Sequence, residues 1–163
     1  MSICVIIPAS GKGIRYGMPK ADALLESGLS FSQAIISTCH AAGLNEIELI
    51  READCLEMLA GIRLGIERRP GYRHYLIFPV DHPFVLPQSL VTICSTASIH
   101  PGKIIRPCYL GKPGHPILIP YSLNLNVDSP CGLAGIIRES GMTIIDIPVD
   151  DPGILRNLNH PGD

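Results

Sequence analysis

Between Gly11 and Lys20 the chain places three glycines (Gly11, Gly13, Gly17) and three cations (Lys12, Arg15, Lys20). Such a loop can bring backbone N–H groups close to an anion, because glycine has no Cβ to hold the anion off, and the cationic side chains add charge at the same place. A triphosphate is the anion it suits. The same composition also suits a plain turn with solvated basic residues. Two known phosphate loops fail on spacing. A dinucleotide fingerprint needs G-x-G-x-x-G running into a helix, whereas the spacing here is G-x-G-x-x-x-G, with Pro19 where the helix should already run. A P-loop needs four residues between its glycines and then Gly-Lys-Ser/Thr, which is also missing.

A second group, Asp81-His82-Pro83-Phe84, directly follows the apolar run "HYLIFPV". Asp81 could act in a site or cap the helix that follows. His82 could touch phosphate or be exposed. His115, between Gly114 and Pro116, reads as a turn histidine bonded to nearby backbone.

The elements that must hold these loops follow from the apolar pattern. Ile3 to Ile7 is an unbroken aliphatic run ended by Pro8, which suits a strand covered on both faces. Ser30 to Ala42 predicts a helix capped by Ser30 and ended by Gly43, and Ile47 to Ile50 a strand. Glu52 to Ile66 fits a helix that Gly61 and Gly65 weaken, and His74 to Val80 fits a buried strand. Pro87, at a first-turn position, opens a helix to about Ser98. Lys103 to Leu110 and Ile117 to Ile119 read as strands around a Gly-Lys-Pro-Gly turn. Pro130 to Ser140 reads as a short helix and Thr143 to Val149 as a last strand, before a tail rich in Asp, Asn and Pro. Alternating strand and helix predicts an α/β fold with a mostly parallel sheet. Ligands of such sheets bind at the carboxyl ends of the strands, where the Ala9 to Lys20 and Asp81 to Phe84 loops both fall.

The chain has 163 residues with 46% hydrophobic content, which suits one domain with a real core. A net charge of −2 carries no basic excess, so nucleic acid is not an expected partner. The six cysteines stand singly, with no Cys-x-x-Cys pair and no His-x-x-x-His, so zinc-type spacing is absent and reduced core thiols are expected. The opening Met1-Ser2-Ile3-Cys4 lacks a charged n-region, and no apolar run nears the ~20 residues that span a bilayer. A cytoplasmic domain without membrane contact is expected.

"PASGKGIRYGMPK" resembles the "LAAGxSxRxGxPK" signature of MobA-like nucleotidyltransferases, most closely the molybdenum cofactor cytidylyltransferase branch. Three later segments agree in order: "VDHPF" with that family's "DxPF", "GKPGHPILI" with "GxPGHPVLF", and "VDDPGILRNLNHPGD" with "VDDPGVLLDIDTPED". The resemblance implies a three-layer α/β/α sandwich with a mostly parallel twisted sheet, of the nucleotide-diphospho-sugar transferase (GT-A-like) type. It also implies a Mg²⁺-dependent reaction in which a phosphate oxygen of an acceptor such as molybdopterin attacks the α-phosphorus of a nucleoside triphosphate and pyrophosphate leaves. Carried over by position, Ala9, Ser10, Gly11 and Gly13 would hold base and phosphates, Arg15 and Lys20 the triphosphate, and Asp81 the Mg²⁺. His115 would face the acceptor pocket. Ser10 stands where cytidylyltransferases of this branch carry Ala and guanylyltransferases Gly, so a narrower base pocket and CTP are favoured over GTP.

Three departures accompany the resemblance. The family's second acidic position is Asn157 here and the next acid is Asn159; an amide oxygen can still ligate Mg²⁺, with lower affinity than a carboxylate. The connection from Ile50 to the helix holding Met58 is shorter than usual, and the register after Lys20 shifts in "PKADALLE". Apolar surface left by lost peripheral elements suits a homodimer. Two readings result: an active nucleotidyltransferase, and a non-catalytic nucleotide-binding relative with a regulatory or chaperone role.

Overall fold

In the computed structural model, which describes residues 2–9, 18–55 and 57–159, β1 (Ile3–Ala9) is buried at all seven positions. It lies between two parallel neighbours, β2 (Ile47–Arg51) and β3 (His74–Ile77). Beyond β3 the sheet turns antiparallel to β6 (Ile117–Pro120) and back to β4 (Ile104–Tyr109), giving the order β2-β1-β3-β6-β4. β7 (Ile144–Pro148) closes the far side by pairing parallel to β4, and the short β5 (Lys112–Pro113) pairs antiparallel with the end of β4. β1, β2, β3, β4 and β7 therefore all run the same way, and their carboxyl ends share one edge. The mostly parallel α/β sheet expected from the sequence is present.

Helices cover both faces. One face buries Val5, Ile7, Leu76 and Phe78 against Phe31, Ile35 and Cys39 of α1 (Phe31–Ala41) and Leu90, Ile93 and Ala97 of α3 (Pro87–Ile99). The other buries Cys4, Ile6, Tyr75 and Ile77 against Ile62 of α2 (Met58–Arg68) and Ile136 and Ile137 of α4 (Gly132–Glu139). The two sets alternate along β1 and β3, as side chains of period two require. Among the described residues no helix is long and apolar enough to cross a membrane.

α1 starts where the sequence puts it. The Ser30 side chain accepts from Gln33 N and the Gln33 side chain accepts from Ser30 N, a reciprocal capping box. α2 starts later than expected, at Met58 instead of Glu52. The Asp54 carboxylate accepts the Arg51 N–H at 3.0 Å, and the amides of Asp54 and Cys55 both turn back to the Arg51 carbonyl. That local turn uses groups a helix would need, so helix forms only after it. The β4–β5 turn also sits earlier than expected: Leu110 (φ 48°) and Gly111 (φ 77°) make a two-residue hairpin turn, and Lys112 and Pro113 already pair with β4. β3 ends at Ile77, short of Val80. Phe78 still donates to the Ile6 carbonyl at 2.9 Å, but Pro79 has no N–H to continue the ladder. All six cysteines are free, but only Cys4 and Cys39 are buried as core thiols; Cys55, Cys94 and Cys108 are half-buried, and Cys131, which immediately precedes α4, is exposed.

Candidate active site

The site is built at the shared carboxyl edge by three chain segments. The first leaves β1 at Ala9, which is buried and paired with Arg51 of β2. Ser10, Gly11, Gly13 and Arg15 lie outside the described residues. The segment resumes with a short 3₁₀ turn, Lys20–Asp22, in which Ala21 is buried. α1 fixes this turn from beneath: Ser32 Oγ donates to the Ala21 carbonyl at 2.8 Å, and Phe31 N to the Ala23 carbonyl at 2.9 Å. Lys20 is thereby directed over the sheet edge, its side chain 18% exposed.

The second segment follows β3. Val80 is buried and His82 N donates to the Pro79 carbonyl, so the chain turns at Asp81. The Asp81 carboxylate divides its two oxygens. Oδ2 faces Lys20 Nζ at 3.6 Å, and Oδ1 meets His82 Nδ1 at 2.8 Å. Burial pushes this carboxyl up, but the hydrogen bond and charge of His82, with the charge of Lys20, outweigh it and hold it below the ordinary carboxylate value. At neutral pH Asp81 is an anion.

The third segment is the tail after β7. Asp151 is buried and accepts three hydrogen bonds, from Leu86 N at 2.8 Å, Ser89 Oγ at 2.7 Å and Gly153 N at 2.8 Å. It anchors a 3₁₀ turn, Pro152–Leu155, to the start of α3, and the Arg156 guanidinium lies 3.9 Å over the Phe84 ring. Two glycines permit the approach. A Cβ on Gly153 would collide with the Phe84 carbonyl, and one on Gly114 with the Ile154 carbonyl. The strap then passes the site itself: Leu158 N donates to the Asp81 carbonyl at 2.9 Å, and Asn159 Oδ1 accepts from Lys20 Nζ at 3.1 Å. Lys20, Asp81 and Asn159 thus meet at one point. Asn157, the position the resemblance aligns with the family acid, is exposed.

His115 is brought to the same cluster. Its backbone N donates to the Ile154 carbonyl at 2.9 Å, and its ring stands 4.7 Å from that of His82 at 58°. Its Nδ1 is buried with no hydrogen-bond partner among the described residues. Burial, and next the neighbouring His82, push its pKa down to about 4, so it is neutral at physiological pH. His82 is only 5% exposed and is bonded to Asp81, against the reading that left it exposed. The sequence signal for that contact was simply a histidine beside a strand-end acid, and the role of Asp151 had no local signal at all. Asp150 and Asp151 are the nearest acids in sequence to the two amides; Asp151 is consumed by its three structural bonds and Asp150 is exposed. Among the described residues no three His, Cys, Asp or Glu side chains cluster as a metal cage.

In the sequence a glycine-rich stretch follows β1 and an acid follows β3, and the carboxyl ends of these two parallel neighbours are where open α/β sheets bind ligands. The chain superposes on Rv0371c from Mycobacterium tuberculosis H37Rv with a TM-score of 0.80 at 18% identity, over 98% of this chain and 94% of that one. The mycobacterial protein has also been solved in complex with manganese. The 2-C-methyl-D-erythritol 4-phosphate cytidylyltransferase from Thermus thermophilus superposes with a TM-score of 0.73 at 14% identity (99% and 94% covered). Molybdopterin-guanine dinucleotide biosynthesis protein A from Archaeoglobus fulgidus does so with a TM-score of 0.63 at 18% identity (99% and 93% covered). No curated protein matches by sequence. The model of the MobA-like NTP transferase domain matches residues 48–136. The chain belongs to that family, and its class of enzyme is nucleotidyltransferase.

Proposed function

We propose that the protein is a Mg²⁺-dependent nucleotidyltransferase that moves a nucleoside monophosphate, CMP in preference to GMP, to a phosphate-bearing acceptor such as molybdopterin. The observation that carries the proposal is the meeting of Lys20, Asp81 and Asn159 at the carboxyl edge of the sheet.

In this reading Ala9, Ser10, Gly11 and Gly13 hold base and phosphates through backbone groups, and Arg15 and Lys20 bind the triphosphate. His115 lines the acceptor side. An acceptor phosphate oxygen forms a bond to the α-phosphorus, the bond to the β-phosphate bridging oxygen breaks, and the electron pair leaves with pyrophosphate. The protein's part is alignment and charge neutralisation, since such a transfer needs little covalent help. One carboxylate and nearby amide oxygens fit Mg²⁺, which takes its remaining ligands from phosphate and water; bound there, it would neutralise charge on the triphosphate. Asp81 is the carboxylate. Of the two amides, Asn159 is better placed than Asn157, because its oxygen already shares the Lys20 ammonium with Asp81.

A second reading has its own observation: with amides at 157 and 159, Lys20 is neutralised by Asp81 within the protein. That favours a nucleotide-binding relative without turnover, in a regulatory or chaperone role. Calorimetric titration with CTP and GTP, each with and without Mg²⁺, followed by a pyrophosphate assay with a phosphorylated pterin acceptor, separates the two. Mg²⁺-dependent binding that favours CTP, with pyrophosphate release, is expected. Binding without release supports the second reading, and no binding of either triphosphate overturns both.

A further inference from the structure

Asp81 is held from the side opposite Lys20, and the holding group is unusual in being a buried imidazole from the adjacent residue. The His82 ring is fixed by its own surroundings. Its backbone N donates to the Pro79 carbonyl, which closes the turn, and the side chain is almost wholly covered. One side of the ring meets the His115 ring, 4.7 Å away. His115 is itself pinned, since Gly114 N donates to the Pro107 carbonyl and His115 N to the Ile154 carbonyl. A carboxylate is an acceptor only, so His82 Nδ1 must be the donor in the 2.8 Å contact. That contact removes the rotational freedom of the Asp81 carboxylate at one oxygen.

We infer that His82 is a positioning residue for Asp81: Nδ1–H holds Oδ1, which leaves Oδ2 as the oxygen presented to Lys20 and to the cation that accompanies the nucleotide. The inference rests on the metal role proposed for Asp81. A partner of this kind fixes a ligand's orientation before metal arrives, and its removal ordinarily costs about 10- to 100-fold in metal affinity. Lys20 cannot substitute, because it contacts the other oxygen and is shared with Asn159. His82 itself touches neither metal nor substrate in this scheme.

The test is Mn²⁺ binding by electron paramagnetic resonance, in the presence of CTP, for the full chain and its His82→Ala, His82→Asn and Asp81→Ala variants, with thermal melting of each as a folding control. Asn can place an amide N–H near the position of Nδ1, so it keeps the donor. We expect Asp81→Ala to lose binding, His82→Ala to weaken it about 10- to 100-fold, and His82→Asn to recover most of that loss. Raising Mg²⁺ should restore turnover in His82→Ala, as a metal-affinity defect requires, and should not do so in Asp81→Ala. If Asp81→Ala loses Mn²⁺ while folded His82→Ala binds as the parent does, the inference is overturned and the role of Asp81 stands. If Asp81→Ala binds Mn²⁺ like the parent, the metal role fails and the inference with it. A His82→Ala loss that His82→Asn does not repair, with melting unchanged, also overturns it, since the donor is then not what matters.

Discussion

The Asp151 carboxylate accepts the hydroxyl of Ser89 at 2.7 Å across 62 residues of chain, in a place sealed from solvent. Leu86 N donates to the same group, so two donors of the body fasten the tail here, and Gly153 N closes the turn within the tail.

Asp151→Ala leaves three donors without their acceptor, two of them backbone amides. Buried donors stranded in this way cost about 1–3 kcal/mol each before relaxation, so a loss of about 3–5 kcal/mol in unfolding free energy is expected. Denaturant titration checks it. A loss below about 1 kcal/mol would show that the tail is held by something else.

Asp81→Asn is close to isosteric and keeps an oxygen for either neighbour, but removes the negative charge. Pyrophosphate release should fall by at least about 100-fold, a few kcal/mol of transition-state stabilisation, with the melting temperature little changed. An unchanged rate would sink the proposed chemistry.

Asn159→Asp puts a second anion beside Lys20, at one of the two positions where the family carries acids. Mg²⁺ should then support nucleotide binding at roughly three- to tenfold lower concentration, because a carboxylate replaces a neutral amide oxygen. The Mg²⁺ dependence of CTP affinity by calorimetry reports it. No change in that dependence would mean that Asn159 serves Lys20 alone.

His115 is pushed down to about 4 from an ordinary 6.5, and His74, buried with both ring nitrogens unpartnered among the described residues, is lowered too. In the folded state His115 stays neutral until pH nears 4 and burial biases His74 toward its neutral form, whereas the unfolded chain takes up protons below pH 6.5. Stability is therefore full above pH 6.5 and declines as pH falls toward 4, the window between the unfolded and folded values of His115. Between pH 6.5 and 5, where most carboxylates are still ionised, His115 should account for about 1–2 kcal/mol of that loss. His115→Leu should flatten the slope measured by urea titration across that range. An identical slope in the variant would assign the effect elsewhere.

The elements that make the site's floor were legible because they are local. The apolar run Ile3 to Ile7 and the Ser30 cap of α1 are decided by neighbouring residues, and both elements start where expected, although β1 continues past Pro8 to Ala9, because Pro8 and Ala9 still pair with β2. The start of α2 was not legible, since Asp54 can bond a nearby backbone N–H as readily as face solvent from a helix, and only the folded turn decides. Asp81 and Lys20 could be picked from sequence as chemistry-bearing residues, yet their contact could not. It depends on how the turn before α1 is packed and on a tail that carries no periodic signal. The burial of His82 is the same kind of fact, because its imidazole is covered by His115 from a distant turn.

The contact from Lys20 to Asn159 closes over 139 residues. The two loops at the carboxyl edge are thus finished by a stretch that adds no strand or α-helix to the body, in the manner of a latch across an open box. The latch is also part of the wall, since Ile154 and Leu158 pack into the core beside Val80 and Leu90. A protease cut within that stretch would therefore free Lys20 and the Asp81 backbone from their far partners and uncover one face of the sheet in the same event, so that ligand binding and stability would be lost together.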